Sequence, residues 1–251
     1  MKKIAVALLL AVFAAPLAYL VLLAAAETWP FPDLLPAAFS LENTRSVLGA
    51  NNQLLAAFAR SVGISTVVAL VATATGFWAA SRLAYHPRGR VFRSLAWLPY
   101  AFSPVIYAFC LLYFFHKTGL AGSIVGVGVA QVIIAFPCCF LLFFNHFDQK
   151  MLDFEQLTAT LGGSRGQYFW RVLLPVSRPV LWLGFLQAFL ISWFEYGLTS
   201  VIGLGQVRTL TVAVYQFIGE SNAYLAALAS CLVGLPPLAF LFLGQKIARP
   251  T

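Results

Sequence analysis

Few residues in this sequence carry groups that do chemistry, and their spacing narrows the options quickly. Gly162, Ser164 and Gly166 fit the G-x-S-x-G pattern of a serine nucleophile, and His86 and His146 would be the nearby bases. That pattern works where a strand feeds the serine into a sharp turn ahead of a helix, within a doubly wound sheet. No strand of that kind precedes Ser164, so a helix cap explains it better. Cys110, Cys138, Cys139 and Cys231 lie inside apolar runs without His or carboxylate at ligand spacing, and read as small hydrophobes rather than a metal or disulfide set. Neither a His-Glu-x-x-His nor a G-x-x-x-x-G-K-[ST] pattern occurs, so no metal site, no catalytic residue and no nucleotide site is expected on this chain. Glu195 is the one acid inside a long apolar stretch, flanked by Trp193, Phe194 and Tyr196. A carboxylate in hydrocarbon costs at least about 2.5–3.5 kcal/mol, so it should face a cavity or a partner. Glu195, with Trp193 and Tyr196, is therefore the candidate for a translocation pathway; the plainer alternative is a packing hydrogen bond to Ser, Thr or backbone.

The elements that position these groups are membrane spans. Of 251 residues, 61% are hydrophobic and 10% charged, against roughly 45–50% and about 25% in soluble domains. The apolar residues come in long runs rather than alternating with polar ones, which excludes a water-soluble core. Six segments reach the roughly 20 residues that cross a bilayer, at about 4–25, 61–81, 94–115, 121–144, 179–203 and 225–244. Only helices and closed barrels satisfy the backbone in lipid, and these runs are too long for barrel strands. The expected fold is an all-α six-helix membrane bundle, a single transmembrane domain over 1–251.

Net charge is +8, but its distribution matters more than its sum. With the N-terminus inside, Lys2, Lys3, Arg82, Arg88, Arg90, Arg93, Lys150, Arg165, Arg171, Arg178, Lys246 and Arg249 are cytoplasmic, and Arg45, Arg60, Lys117 and Arg208 are outside, twelve against four. Positive residues are retained on the cytoplasmic side, so both termini are expected there and the bilayer, not nucleic acid, accounts for the charge. Lys2-Lys3 before an apolar stretch ending in Ala24-Ala25-Ala26 also fits a cleaved leader, though the stretch exceeds the roughly 7–15 residues of a signal core. The outer loop from Glu27 to about Arg60, with Pro30, Pro32 and Pro36, reads as a packed connector, and Gly122 to Gly126 as a helix-packing GxxxG.

The longest cytoplasmic loop, about 145–178, reads as two short helices with a break. Asp153 with Gln156 and Ser164 with Gln167 have capping-box spacing, and Gly162-Gly163 permits the sharp turn between the helices. Glu155-Gln156-Leu157-Thr158-Ala159-Thr160-Leu161-Gly162-Gly163-Ser164, followed by Val172-Leu173-Leu174-Pro175, resembles the loop of binding-protein-dependent ABC importer permeases. The family pattern is Glu-Ala-Ala, three residues, Gly, nine residues, then Ile-x-Leu-Pro. Gly162 and Pro175 have the required separation and Val172 stands for the Ile, whereas Gln156-Leu157-Thr158 replace the triplet and Glu155 keeps an acid one position early. Phe39-Ser40-Leu41-Glu42-Asn43 and Thr209-Leu210-Thr211-Val212-Ala213-Val214-Tyr215 resemble stretches of the same permeases.

The resemblance implies a type I importer permease, paired with an identical or similar second permease subunit. It implies an ATP-binding cassette subunit that holds ATP and Mg, an extracytoplasmic solute-binding protein, and no cofactor on this chain. Glu155, Gln156, Leu157, Thr158, Leu161, Gly162, Gly163, Ser164 and Pro175 would couple to the ATP-binding subunit, with Leu174-Pro175 making a rigid link to the fifth span. Gly162 would be required because a side chain there would clash or resist the turn. The solute stays open among polyamine, thiamine, ferric iron and sulfate or molybdate. Glu195 suggests a cation, yet Glu195-Tyr196-Gly197 resembles a Glu-Phe-Gly stretch of the sulfate and molybdate permeases. The alternative from another class is a secondary transporter using Glu195 for coupling, for which a single acid is thin support.

Overall fold

The computed structural model describes residues 2–29, 36, 38–39 and 53–247. Helix dominates, because each apolar run must satisfy its backbone within itself. The elements are α1 (Lys2–Ala25), the short antiparallel pair β1 (Ala26–Thr28) and β2 (Ala38–Phe39), α2 (Gln53–Leu83), α3 (Gly89–Leu95) and α4 (Pro104–Lys117). Then come α5 (Ile124–His146), α6 (Gln149–Thr160), α7 (Arg165–Tyr168), α8 (Leu174–Trp193), α9 (Gly197–Gly203), α10 (Leu210–Gly219) and α11 (Ala223–Ile247). Most of the expected connector between β2 and α2, including Ser40 to Asn43, lies outside the described residues.

Among the described residues, four helical stretches are long and apolar enough to cross a bilayer: Gln53–Leu83, Ile124–His146, Arg165–Trp193 and Ala223–Phe240. The expected third span is not one helix. It is Gly89–Ala101 followed by Pro104–Lys117, bent by 99°, and counts as a fifth span only if both arms are taken together. Proline imposes the bend, because a residue before proline is driven out of the α region. Ser103, just ahead of Pro104, is extended at φ −62 and ψ 136, and Phe102 is extended at φ −115 and ψ 148. The expected fifth span breaks as well, between Trp193 and Gly197.

The described residues fall into two units. One holds α1, the strand pair, the start of α2, α10 and most of α11. Here the backbone N–H of Trp29 donates to the Tyr224 hydroxyl at 2.8 Å, and the Tyr19 and Trp29 rings lie 5.1 Å apart. Thr209 caps α10 by accepting from the Val212 N–H at 3.3 Å, while Ser61 Oγ accepts from the Leu210 N–H at 2.7 Å. The family-like stretch 209–215 is thus the capped start of α10.

The second unit is built on α5, whose main partner is α8. Its core mixes large side chains such as Phe143, Phe189 and Trp193 with small residues that let the helices approach closely. On α2 the buried face includes Ser65, Ala69, Ala72, Gly76 and Ala80, while Val67, Leu70 and Trp78 point out. Such faces let backbones approach where lipid supplies no hydrophobic drive between helices. A Cβ on Gly76 would meet Cys139 Cβ at 2.8 Å, and one on Gly184 would enter the Phe143 ring. Cys139 is fully buried between these contacts, its thiol 3.5 Å from the Gly184 carbonyl. The GxxxG expectation is corrected: Gly122 is in a turn before α5 at φ +75, and a Cβ on Gly126 would strike the Leu120 carbonyl. Both glycines serve the turn that starts α5. The open pair is Gly63 and Gly128, which line one wholly apolar groove of about 430 Å³.

Candidate functional site

The loop from 147 to 173 starts and stops by local rules. Asp148 caps α6, accepting from the Met151 N–H at 3.2 Å. The expected Asp153–Gln156 capping box is therefore one turn misplaced: Asp153 lies within α6, where its Oδ1 accepts from Gln149 Nε2 at 3.3 Å. At the other end the Gly163 N–H donates to the Thr158 carbonyl at 2.9 Å and the Gly162 N–H to the Ala159 carbonyl at 3.0 Å. With Gly162 at φ +77 this is a Schellman termination, which uses left-handed backbone to satisfy the last carbonyls. A Cβ on Gly162 would meet nothing within 4 Å, so its requirement is conformational rather than a clash within the subunit. Gly163 has the steric requirement, since a Cβ there would sit 2.6 Å from Thr158 Cγ2. Ser164 then opens α7 with a complete capping box: the Gln167 N–H donates to Ser164 Oγ at 3.3 Å, and Gln167 Oε1 accepts from the Ser164 N–H at 2.8 Å. Ser164 is a cap; His146 Nε2 instead lies 3.0 Å from the buried Ser177 Oγ.

This knob presents apolar side chains outward. Leu161 is 80% exposed and Leu157 57%, with Phe154 beside them and Gln156 also outward. Thr158 and Glu155 are half-buried. Two phenols pin the knob from beneath: the Tyr168 hydroxyl donates to the Met151 carbonyl at 3.1 Å, and that of Tyr85 to the Asp148 carbonyl at 2.9 Å. Burial, followed by Tyr168 and the Asp148 carboxylate, pushes the Tyr85 phenol up to about 12, so it remains a neutral donor through the physiological range.

Pro175 does not end a helix here. The chain is helical from Arg165 to Trp193, passing through a π turn at Phe169–Leu173 in which the Leu174 N–H donates to the Phe169 carbonyl. A proline ring collides with the carbonyl four residues back in an α-helix, and the wider π turn gives it room. Pro175 sits at the start of α8, whose 20 residues extend roughly 30 Å at 1.5 Å per residue. One helical rod thus runs from Arg165, just past the Gly162-Gly163 turn, to a far end at Trp193.

At that far end lies Glu195, in the break between α8 and α9. Its Oε1 accepts from the Leu198 N–H at 2.7 Å, which caps α9. Trp193 is 2% exposed and stacked on Phe189 at 5.6 Å, whereas Tyr196 is 37% exposed. Beneath the break runs a polar chain that sequence reasoning did not find. Gln131 Nε2 donates to Thr199 Oγ1 at 2.9 Å, Gln131 Oε1 accepts from Ser192 Oγ at 2.6 Å, and Ser65 Oγ is 3.0 Å from Ser192 Oγ. Ser65, Gln131, Ser192 and Thr199 come from α2, α5, α8 and α9, and none is more than 4% exposed. The only sequence signal was Gln131 itself, an amide in the middle of an apolar run. The pathway and coupling candidates thus occupy opposite ends of α8.

Comparison with known proteins follows the same outline. The profile of the family described as "Binding-protein-dependent transport system inner membrane component" matches residues 72–249. The molybdenum transport system permease proteins ModB of Mycobacterium bovis and Mycobacterium tuberculosis are each 32% identical over 178 residues, spanning 63% of this chain and 67% of theirs. The sulfate transport system permease protein CysW of Synechocystis is 26% identical over 206 residues, 76% of this chain and 73% of the relative.

Proposed function

Because this chain belongs to the binding-protein-dependent transport system inner membrane components, we propose that it moves a tetrahedral oxyanion of the sulfate and molybdate class inward, driven by ATP hydrolysed on a separate subunit. It is a multi-pass protein of the cytoplasmic membrane and an ABC importer permease subunit of the sulfate/molybdate type, a family of transport subunits rather than enzymes. The finer reading has six spans with both termini cytoplasmic, the bent pair counting as the third and the α8–α9 pair as the fifth. In that reading ATP and Mg reside on the ATP-binding cassette partner, a second permease subunit completes the pathway, and a solute-binding protein delivers solute from outside.

The observation that carries this function is the continuous helix from Arg165, just past the Gly162-Gly163 turn, to Trp193. A partner that grips Leu157 and Leu161 moves α6, and the Tyr168 hydroxyl bonded to the Met151 carbonyl ties α6 to the start of that helix, so the motion is passed on to α8. The oxyanion choice is supported by the relatives and by Glu195. Its carboxylate is engaged with the N-terminus of α9, whose dipole offsets its charge, so it is poorly placed to attract a cation or to act as an ion-coupling acid.

The test is capture and uptake together. Detergent-solubilised chain, co-expressed with its neighbouring subunits, should retain an ATP-binding subunit, and Gly162→Val should lose it while remaining folded, its thermal transition only modestly lowered by the left-handed strain. Cells should take up labelled molybdate or sulfate and not a labelled polyamine. Retention of the ATP-binding subunit by Gly162→Val would remove the coupling assignment, and polyamine uptake alone would remove the oxyanion one.

A further inference from the structure

Two cavities of the second unit adjoin beside the knob. The larger, about 800 Å³, is walled by apolar side chains such as Leu70, Trp78, Leu181 and Phe185, and has Arg178 as its one charged residue. The smaller, about 320 Å³, is polar and is lined by Arg82, Arg165, Glu155 and Tyr85. Ser81 and Phe169 line both, so the two adjoin across these side chains. The apolar part follows α2 from Leu70 to Ser81, roughly 16 Å at 1.5 Å per residue. That is about half of the roughly 30 Å hydrocarbon core, the depth of one leaflet. Leu70 is 56% exposed and Trp78 65%, so the groove opens outward instead of closing into the bundle.

Arg82 and Arg165 line the smaller cavity with Glu155, and Arg178 lines the larger, so three basic residues stand against one acidic residue over the adjoining pair. We propose that this pair of cavities binds one anionic phospholipid of the cytoplasmic leaflet, with its phosphate at Arg82 and Arg165 and an acyl chain along the groove between α2 and α8. Basic pockets between spans on the cytoplasmic side suit such headgroups, and Arg178 adds a third positive side chain on the apolar wall. Glu155 accepts a hydrogen bond from a headgroup hydroxyl, which favours phosphatidylglycerol over a headgroup without one. The site rests on the cytoplasmic placement of loop 145–178 proposed above. Because Glu155 belongs to α6 and Arg82 to α2, a bound lipid bridges the knob to the second span.

The test is native mass spectrometry of the detergent-purified chain with phosphatidylglycerol, phosphatidylcholine or inorganic phosphate added. One phosphatidylglycerol per chain should be retained, about tenfold or more tighter than phosphatidylcholine, and excess inorganic phosphate should not displace it. Arg82→Gln with Arg165→Gln should bring phosphatidylglycerol to the phosphatidylcholine level at an unchanged thermal transition, and Arg82→Lys with Arg165→Lys should restore most of the difference. An acyl-photoreactive phosphatidylglycerol should label segments 70–81 and 174–185. Equal retention of both lipids, displacement by phosphate, or a chain-to-chain adduct from a photoreactive residue at Trp78 would each overturn the site. Failure of lipid binding leaves capture of the ATP-binding subunit intact, whereas failure of the importer reading removes that capture and leaves lipid retention unchanged.

Discussion

Gly162 and Gly163 are adjacent and both glycine, yet different forces hold them. Left-handed backbone at Gly162 costs an ordinary L-residue roughly 1–2 kcal/mol, less for Asn, which visits that region readily. Gly162→Asn should therefore keep most capture of the ATP-binding subunit where Gly162→Val loses it, read as the ratio of the two subunits on the affinity matrix. Glu195 offers a similar discrimination. Glu195→Gln keeps an oxygen to accept from the Leu198 N–H, so uptake should stay within about twofold of the parent. Glu195→Ala removes the cap at about 1 kcal/mol and should lower the thermal transition. A large loss of uptake in Glu195→Gln at an unchanged transition would show that the charge itself acts on the solute.

Between elements, the π turn and the polar chain do the positioning. Pro175→Ala restores an N–H and removes the ring, so the turn at Phe169–Leu173 can tighten to α geometry. Losing one residue's worth of widening rotates the knob by roughly 100° about the fifth span, since an α-helix turns 3.6 residues per revolution. The expected outcome is a chain as stable as the parent whose ATP hydrolysis no longer drives uptake, measured as the ratio of solute moved to phosphate released. Gln131→Leu acts at the other end of the rod. It strips the amide from Ser192 and Thr199, and should destabilise by about 1–2 kcal/mol in a denaturant titration. The double variant with Thr199→Val should cost less than the sum of the two, because both remove one hydrogen bond.

At the scale of the molecule, the positive-residue bias makes an orientation prediction. A cysteine placed at Ser164 should react with a membrane-impermeant thiol reagent only in inverted vesicles, and one placed at Lys117 only in intact cells, both in a background lacking the four native cysteines. The opposite pattern would invert the topology and strand the knob outside. The bend of 99° between Gly89–Ala101 and Pro104–Lys117 gives this test a second use, since it shows whether both arms together cross the bilayer.

Much of the molecule was legible in its sequence because the forces concerned are local or additive. Apolar runs long enough for lipid place helices wherever they occur, and a Gly-Gly turn with Ser164 and Gln167 three residues apart fixes the knob through backbone bonds formed within a few residues. The family-like spacing of Gly162 and Pro175 follows from the same local geometry. Hydrophobicity, however, is blind to a break that stays apolar. Phe102-Ser103-Pro104 and Phe194-Glu195-Tyr196 lie inside continuous runs, and although Pro99 and Pro104 were visible, only the fold turned them into a bend. The chain through Ser65, Gln131, Ser192 and Thr199 joins four helices from distant parts of the sequence, so no window contains it. The sequence by itself determined where the long apolar helices lie and how Ser164 caps the helix after the Gly-Gly turn, although it set the cap of α6 at Asp153 instead of Asp148. Tertiary structure decided how Ser65, Gln131, Ser192 and Thr199 pair and which glycines pack, because those depend on neighbours brought together only when the helices meet.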